Sequence, residues 1–182
     1  LSDFSGKLTK SAVVDAIASL PRSAADDVRY VGVEHLHVTL RFIGDTDARV
    51  DDVSRRLALA ALPHAVARLG PVTVRFGDGV LAIPVAGLDA LAQAVRSATS
   101  DLGEADSRPF RGHLTIARAR RARGSGSLAA LTGLPIAAAF AVGEIALVAS
   151  DLSATGPTYS TIAMFPTSRS EQRSLRPRGT RG

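Results

Sequence analysis

The feature that most constrains this chain is a short pattern that occurs once in each half. His37-Val38-Thr39-Leu40 and His113-Leu114-Thr115-Ile116 each place a histidine and a threonine two residues apart within an apolar, largely β-branched run. Because side chains alternate along a strand, each copy would present an imidazole and a hydroxyl on one face and apolar residues on the other. The repeat predicts two corresponding half-domains, each containing one such strand.

The hydrophobic periodicity around the two motifs predicts helices alternating with short strands. Helices are expected at about residues 11–20, 48–62 and 89–102, and strands at about 28–31, 37–43, 72–76, 80–85, 112–118, 143–150 and 159–165. The stretch between Pro63 and Gly70-Pro71 is predicted to be a linker, and Gly77-Asp78-Gly79 is typical of a hairpin turn. Short connections favour antiparallel pairing, so the predicted fold is α+β. It would have two pseudo-symmetric lobes of largely antiparallel sheet, with outer helices around a central cleft.

Composition narrows the class of protein. The chain has 182 residues, of which 46% are hydrophobic and 21% charged, as expected of a globular protein. It contains no cysteine, which excludes disulfides and thiolate metal sites, and it lacks a clustered carboxylate–histidine set, so neither a metal nor another cofactor is expected. No apolar run approaches the roughly 20 residues needed to cross a bilayer, and a cytoplasmic monomer is expected.

Domain boundaries are predicted from the distribution of charge. Residues 1–166 are expected to form a single domain, followed by a basic, disordered tail at 167–182. Five arginines and one glutamate lie between Ser168 and Gly182, so this segment contributes most of the net charge of +5. Such a tail would add only weak, salt-sensitive attraction to nucleic acid.

Two histidines on opposite sides of one phosphodiester could perform general acid–base chemistry. A histidine titrates near neutral pH, so one ring can take a proton from water while the other protonates the departing ribose oxygen. The hydroxyls of Thr39 and Thr115 could hydrogen-bond the non-bridging phosphate oxygens, where negative charge must be stabilised. His37, Thr39, His113 and Thr115 are therefore the predicted catalytic residues.

The residues around these motifs resemble a known family. The segments 35–44, HLHVTLRFIG, and 108–118, RPFRGHLTIAR, are similar to the two signatures of the two-histidine (2H) phosphoesterases. The similarity is strongest to the LigT-like RNA 2′,3′-cyclic phosphodiesterases, also called 2′-5′ RNA ligases, and extends over about residues 12–165. It implies a bilobal fold and metal-independent opening of a 2′,3′-cyclic phosphate to a 2′-phosphomonoester, with 2′-5′ ligation as the reverse reaction. It also implies that His37 is the acid for the leaving O3′ and His113 the base on water.

The sequence departs from that family in three places. Residues 1–10 are polar where the family has an apolar strand, so an N-terminal strand is expected to be missing. Gly112 stands where proline is common, which predicts a looser approach to His113. His35 replaces a more usual asparagine, and it is expected either to enter the site or to be solvated at the mouth of the strand.

Further site residues are predicted from charge and aromaticity. Arg118, Arg111 and Arg41 are expected to bind substrate phosphate, because guanidinium groups suit phosphate geometry. Phe110 and Tyr159 could stack on a base, with core packing the alternative for Phe110. In addition, Phe42 and Phe76 are assigned to the core, and His64 is assigned to the surface.

The expected partner is RNA with a 2′,3′-cyclic phosphate end, or a small cyclic nucleotide. Two alternatives stay open at this point. One is a catalytically weak module of the same fold that binds RNA ends or nucleotides. The other is a phosphodiesterase for a different substrate, such as ADP-ribose 1″,2″-cyclic phosphate or a 2′-5′ oligoadenylate.

Overall fold

The computed structural model describes residues 10–23, 27–44, 49–77, 79–104, 108–120, 125–153 and 156–168. These residues contain helices α1 (Lys10–Ala18), α2 (Val50–Leu59), α3 (Asp89–Ala98) and α4 (Ser125–Ala129), and a 3₁₀ helix (Val33–His35). The strands are β1 (Val28–Tyr30), β2 (Ala65–Leu69), β3 (Val74–Phe76), β4 (Val80–Ala86), β5 (His113–Ala119), β6 (Ala138–Val142), β7 (Glu144–Ser153) and β8 (Gly156–Pro166). None of the described helices is long and apolar enough to cross a bilayer.

Every strand pairing between these elements is antiparallel. Six strands form one sheet in the order β1-β5-β4-β2-β6, with β3 also paired to β4, and β7 and β8 form a separate long hairpin. The predicted α+β class with antiparallel sheets is therefore confirmed. The second histidine motif lies on β5, next to the centre of the larger sheet.

The core lies against one face of the larger sheet and under the helices. Leu81, Ile83 and Val85 of β4 are at most 5% exposed, whereas on the other face Val80 and Pro84 are half-buried and only the small Ala82 is fully buried. Burying each large aliphatic side chain contributes about 1.5–3 kcal/mol, so these alternate residues fix which face of β4 points inward. His113 and Thr115 of the neighbouring strand β5 lie on the opposite face of the sheet, next to Pro84 and Ala82.

The predicted linker between Pro63 and Gly70 is instead strand β2. Ala65, Ala67 and Leu69 are buried at 8%, 0% and 5% exposure, and they alternate with more exposed residues. The alternation is that of a half-buried strand, but alanine carries little strand propensity and weakens the signal in the sequence. β2 joins β6 to β4 and so completes the larger sheet.

The prediction of a paired strand at residues 37–43 is wrong, because residues 36–44 belong to no strand. Val31 still donates its N–H to the carbonyl of Ile116 at 2.9 Å, and the 3₁₀ helix then turns the chain out of the sheet. The predicted alternation of burial is present nevertheless, since Val38 and Leu40 are each 2% exposed. Phe42 is 50% exposed, which corrects its assignment to the core.

The two residues that follow position 166 make main-chain hydrogen bonds to the rest of the chain. Ser168 donates its N–H to the carbonyl of Leu62 at 2.8 Å and accepts from the N–H of His64 at 2.9 Å. Thr167 donates its N–H to the carbonyl of Gly143 in the same way. The remainder of the predicted tail, and the N-terminal segment before residue 10, lie outside the described residues.

Candidate active site

Strand β5 holds the second motif in a fixed register against β4. His113 lies opposite Pro84 and Thr115 opposite Ala82, and residues directly opposite one another share a face of the sheet. Both motif side chains are half-buried, while Leu114 lies in the core at 6% exposure. The prediction that the imidazole and the hydroxyl share one face, with apolar residues on the other, is therefore confirmed on β5.

A β-bulge in β5 brings Arg118 onto this same face. The pairing passes from Thr115 opposite Ala82 directly to Ala117 opposite Leu81, which leaves Ile116 as the extra residue. Ile116 and Ala117 are consequently both buried, at 5% and 0% exposure, and Arg118 is exposed. A regular strand would have pointed Arg118 away from His113, so the bulge re-aims the arginine toward the site.

The ring of His113 is held from two sides. Its Nδ1 lies 2.8 Å from the carbonyl oxygen of Arg111, two residues earlier in the chain. The ring of Phe76 packs against it, with 4.6 Å between ring centroids and an interplanar angle of 32°. Phe76 is half-buried, whereas the sequence predicts a core position for it. The residues next to it in the sequence give no sign of a contact with His113, which lies 37 positions further along the chain.

The ring of His37 is held in a closely similar way. Its Nδ1 lies 2.8 Å from the carbonyl oxygen of His35, again two residues earlier. The ring of Tyr159 on β8 packs edge-on against it, with centroids 5.0 Å apart and an interplanar angle of 63°. The ring of His35 also contacts Tyr159, with centroids 5.8 Å apart, and its Nε2 lies 3.5 Å from a carboxylate oxygen of Glu34. Tyr159 therefore lies beside the first motif, and its stacking on a base stays a prediction.

The two main-chain contacts determine which ring nitrogen is available for chemistry. A carbonyl oxygen can only accept a hydrogen bond, so Nδ1 of each histidine must carry the proton in that contact. The nitrogen left for proton transfer is therefore Nε2 in both rings. A neutral ring with this tautomer is a base at Nε2, and a protonated ring is an acid at the same atom.

The topology brings the two motifs toward the same end of the sheet. β1 runs antiparallel to β5, from Val28 opposite Ala119 to Tyr30 opposite Ala117. The chain thus leaves β1 in the direction of His113, and Val31 makes the last bond, to Ile116. The first motif follows after the single 3₁₀ turn.

Arg41 occupies a structural position that the sequence did not predict. Its side chain is only 5% exposed, and its guanidinium donates to the carbonyl and hydroxyl of Thr99 and, at 2.7 Å, to the carbonyl of Leu102. These acceptors lie just after α3, where helix carbonyls lack intrahelical partners. The predicted phosphate contact is at odds with this placement, because the guanidinium is already surrounded by protein acceptors.

The other predicted residues take varied positions. Arg111 and Arg118 are exposed on either side of the second motif, and their contacts with phosphate stay predictions. Phe110 is half-buried and packs against the core, so the alternative weighed for it is the one observed. His64 is half-buried rather than on the open surface. Among the described residues, no group of three or more His, Asp or Glu side chains is placed to hold a metal ion.

Gly112 forms a close contact with β4, in contrast to the loose approach predicted for it. A Cβ at this position would lie 2.3 Å from the carbonyl oxygen of Val85. Val85 also donates its N–H to the carbonyl of Gly112 at 2.9 Å. Glycine therefore allows the chain before His113 to run directly against its neighbour.

Comparison with known proteins adds an independent line of argument. A family model described as the 2′-5′ RNA ligase superfamily matches residues 9–154. A Geobacillus stearothermophilus protein named RNA 2′,3′-cyclic phosphodiesterase is 35% identical over 179 residues, which cover 91% of this chain and 52% of that protein. The chain thus spans about half the length of this relative.

Solved structures show the same fold. The crystal structure of the Thermus thermophilus protein TT0787 matches with a TM-score of 0.72 at 22% identity, covering 93% of this chain and 97% of that one. Escherichia coli LigT complexed with 3′-AMP matches with a TM-score of 0.67 at 22% identity, covering 88% and 91%. Because the family model spans most of the sequence and includes both histidine motifs, this chain belongs to the 2′-5′ RNA ligase superfamily.

Proposed function

We propose that this protein hydrolyses a terminal 2′,3′-cyclic phosphate on RNA or a small nucleotide to a 2′-phosphomonoester without a metal ion. The observation that carries the proposal is the matched arrangement of His37 and His113, each held at Nδ1 by a main-chain carbonyl and left with Nε2 for proton transfer. The name of the Geobacillus relative and the shared family support the same reaction class.

In the proposed reaction, the Nε2 of His113 removes a proton from water as the water oxygen attacks phosphorus. The bond from phosphorus to O3′ breaks, and the protonated Nε2 of His37 transfers its proton to O3′. The products are a 2′-phosphate and a free 3′-hydroxyl. The cycle ends with His113 protonated and His37 neutral, and exchange with solvent restores both.

Neighbouring groups would stabilise the charge that develops on the phosphate. Thr115 shares the face of His113, and Thr39 is the matching residue of the first motif. Each hydroxyl can donate one hydrogen bond to a non-bridging oxygen. Arg118, which the bulge turns to this face, and Arg111 would add guanidinium contacts to the same phosphate. The same steps with the 5′-hydroxyl of a second RNA end in place of water would join the two ends through a 2′-5′ linkage.

The test is hydrolysis of a 2′,3′-cyclic mononucleotide in the presence of EDTA, with identification of the phosphate position in the product. The 2′-phosphate should form, and His37→Asn and His113→Asn should each lower kcat by about 10²–10⁴-fold while leaving the melting temperature unchanged. No turnover, or turnover only after addition of a divalent metal, would overturn the proposal.

A second assay separates the acid from the base. In a cyclic substrate with sulfur in place of O3′, the leaving thiolate departs without protonation. This substrate should restore most of the rate of the His37→Asn variant and none of the rate of His113→Asn. The opposite pattern would exchange the two roles. ADP-ribose 1″,2″-cyclic phosphate and a 2′-5′ oligoadenylate in the same assay would define the preferred substrate.

A further inference from the structure

The two motif histidines receive very different support from the main chain. His113 begins strand β5 and lies in register against β4, whereas His37 lies among residues 36–44, which belong to no strand. In the described part of the chain, the main-chain contact at the His37 ring is the one from Nδ1 to the carbonyl oxygen of His35, at 2.8 Å. A hydrogen bond to one ring atom still lets the ring plane tilt about it, so this contact alone does not fix the direction of Nε2.

A second support for His37 comes from the β7–β8 hairpin, which is separate from the larger sheet. Tyr159 of β8 lies opposite Ser150 of β7 and is half-buried, and its ring lies against the imidazole with 5.0 Å between centroids and an interplanar angle of 63°. Aromatic rings attract each other in such tilted and edge-to-face arrangements, and the contact leaves less room for the imidazole to tilt. The hairpin therefore contributes to the orientation of a histidine that lies outside it.

Tyr159 is itself contacted by His35, the residue that also accepts the hydrogen bond from His37. The rings of His35 and Tyr159 have centroids 5.8 Å apart and are inclined at 53°. His35 thus contacts both groups that hold His37, since its carbonyl oxygen bonds Nδ1 and its side chain packs against the tyrosine ring. The N–H of His35 donates to the carbonyl of Gly32 at 2.9 Å, which fixes the 3₁₀ turn from which these contacts are made. A residue that orients a catalytic group must be restrained by its own neighbours, and Tyr159 meets this requirement.

We propose that Tyr159 is a positioning residue, whose ring orients His37 so that Nε2 points at the O3′ leaving group. This inference rests on the proposed function and adds to it a residue that acts through His37 alone. A proton is transferred only over a short hydrogen bond of about 2.6–3.2 Å, and a small misplacement of the acid lowers the rate steeply. Removal of the tyrosine ring should therefore slow the step in which His37 takes part and leave substrate binding unchanged.

The experiment measures kcat for a 2′,3′-cyclic nucleotide and for its analogue with sulfur in place of O3′. Tyr159→Leu should lower kcat about three- to tenfold with the oxygen substrate, the range expected from loss of one aromatic pair, with little change in KM. With the sulfur substrate, which needs no acid, the loss should shrink to less than about twofold. Phe76→Leu is the matched variant, because it removes the ring that packs against His113, and its loss should persist with both substrates. The ratio of the two rates within one variant does not depend on the folded fraction.

Two further variants serve as controls. Tyr159→Phe keeps the ring and should keep most of the rate, whereas a loss equal to that of Tyr159→Leu would assign the effect to the hydroxyl and refute the role of the ring. Ser160→Ala changes the adjacent exposed position of β8 and should behave as the wild type with both substrates.

The pattern across the two substrates decides the outcome. Tyr159→Leu should follow His37→Asn, whichever of the two histidines is the acid. An equal loss with both leaving groups, in a protein whose His37→Asn variant is rescued by sulfur, would overturn the inference. A raised KM with unchanged kcat, which disappears for a cyclic phosphate without a base, would overturn it as well and assign Tyr159 to base stacking.

A measurement without substrate distinguishes failure of this inference from failure of the proposed function. If the wild-type protein hydrolyses no 2′,3′-cyclic phosphate, the proposed function fails, and the orientation of His37 is then tested by nitrogen-15 NMR of the free protein. In the wild type, the neutral His37 ring should carry its proton on Nδ1. Tyr159→Leu should shift the His37 ring signals toward a mixture of the two tautomers and leave those of His113 unchanged. Unaltered His37 signals in this variant would refute the role of Tyr159.

Discussion

Replacing Arg41 by methionine distinguishes a structural arginine from a phosphate-binding one. Methionine keeps much of the alkyl volume and removes every donor, so the carbonyls of Thr99 and Leu102 lose charge-assisted hydrogen bonds. Each such bond contributes about 1.5–3 kcal/mol, and the side chain is only 5% exposed, so little solvent screening reduces the effect. Destabilisation of about 3–5 kcal/mol is expected, which corresponds to about 6–20 °C in melting temperature.

The assay is urea unfolding of the wild type, Arg41→Met and Arg118→Met, with kcat/KM measured well below the melting temperature. Arg41→Met should lower the midpoint without changing the slope, and the folded fraction should retain near wild-type KM. Arg118→Met, at an exposed strand position, is the matched control and should show the reverse: near wild-type stability and a raised KM. An unchanged midpoint with a raised KM for Arg41→Met would refute the structural role.

Three further changes test other parts of the site and its support. Phe76→Leu should lower kcat about three- to tenfold with little change in KM, because it removes the ring packed on His113; an unchanged kcat would exclude a positioning role. Gly112→Ala should lower the free energy of unfolding in urea by about 1–3 kcal/mol and should also lower kcat, because the added Cβ would overlap the carbonyl of Val85. Wild-type stability and kcat would show that the chain shifts freely at this position. Thr73→Val should lower the free energy of unfolding by about 2–4 kcal/mol without affecting KM. The fully buried hydroxyl of Thr73 donates to the carbonyl of Leu131 at 2.6 Å and accepts from the N–H of Leu134 at 3.1 Å, and valine would leave both groups without this partner. A loss below about 1 kcal/mol would contradict that reasoning.

The second motif could be predicted from sequence because strand periodicity is a local property. The alternation of His113, Leu114, Thr115 and Ile116 specified a half-buried strand with both polar groups on one face, and the structure agrees. The bulge at Ile116 could not be predicted in this way. It depends on the register with β4, and it reverses the direction of Arg118 that simple alternation would have given.

The first motif shows the opposite case. Its alternating burial is that of a strand, and the sequence therefore predicts a paired strand at residues 37–43. In the structure the chain leaves the sheet after Val31, and these residues belong to no strand. Arg41 and Phe76 were misassigned for a related reason. The acceptors near Arg41 lie 58 and 61 residues further along the chain, and the imidazole against Phe76 lies 37 residues away. Contacts of this range leave no periodic signal in a single sequence.

The central claim is that Nε2 of His37 and Nε2 of His113 both face one phosphorus centre. Nitrogen-15 NMR of the histidine rings during titration with a nucleoside 2′-phosphate tests it most directly, because Nδ1 and Nε2 resonate separately. We expect saturation at one nucleotide per chain to shift both Nε2 signals, while both Nδ1 atoms keep their protons on the carbonyls of His35 and Arg111. A response from only one ring, or from the Nδ1 atoms instead, would contradict the proposed site.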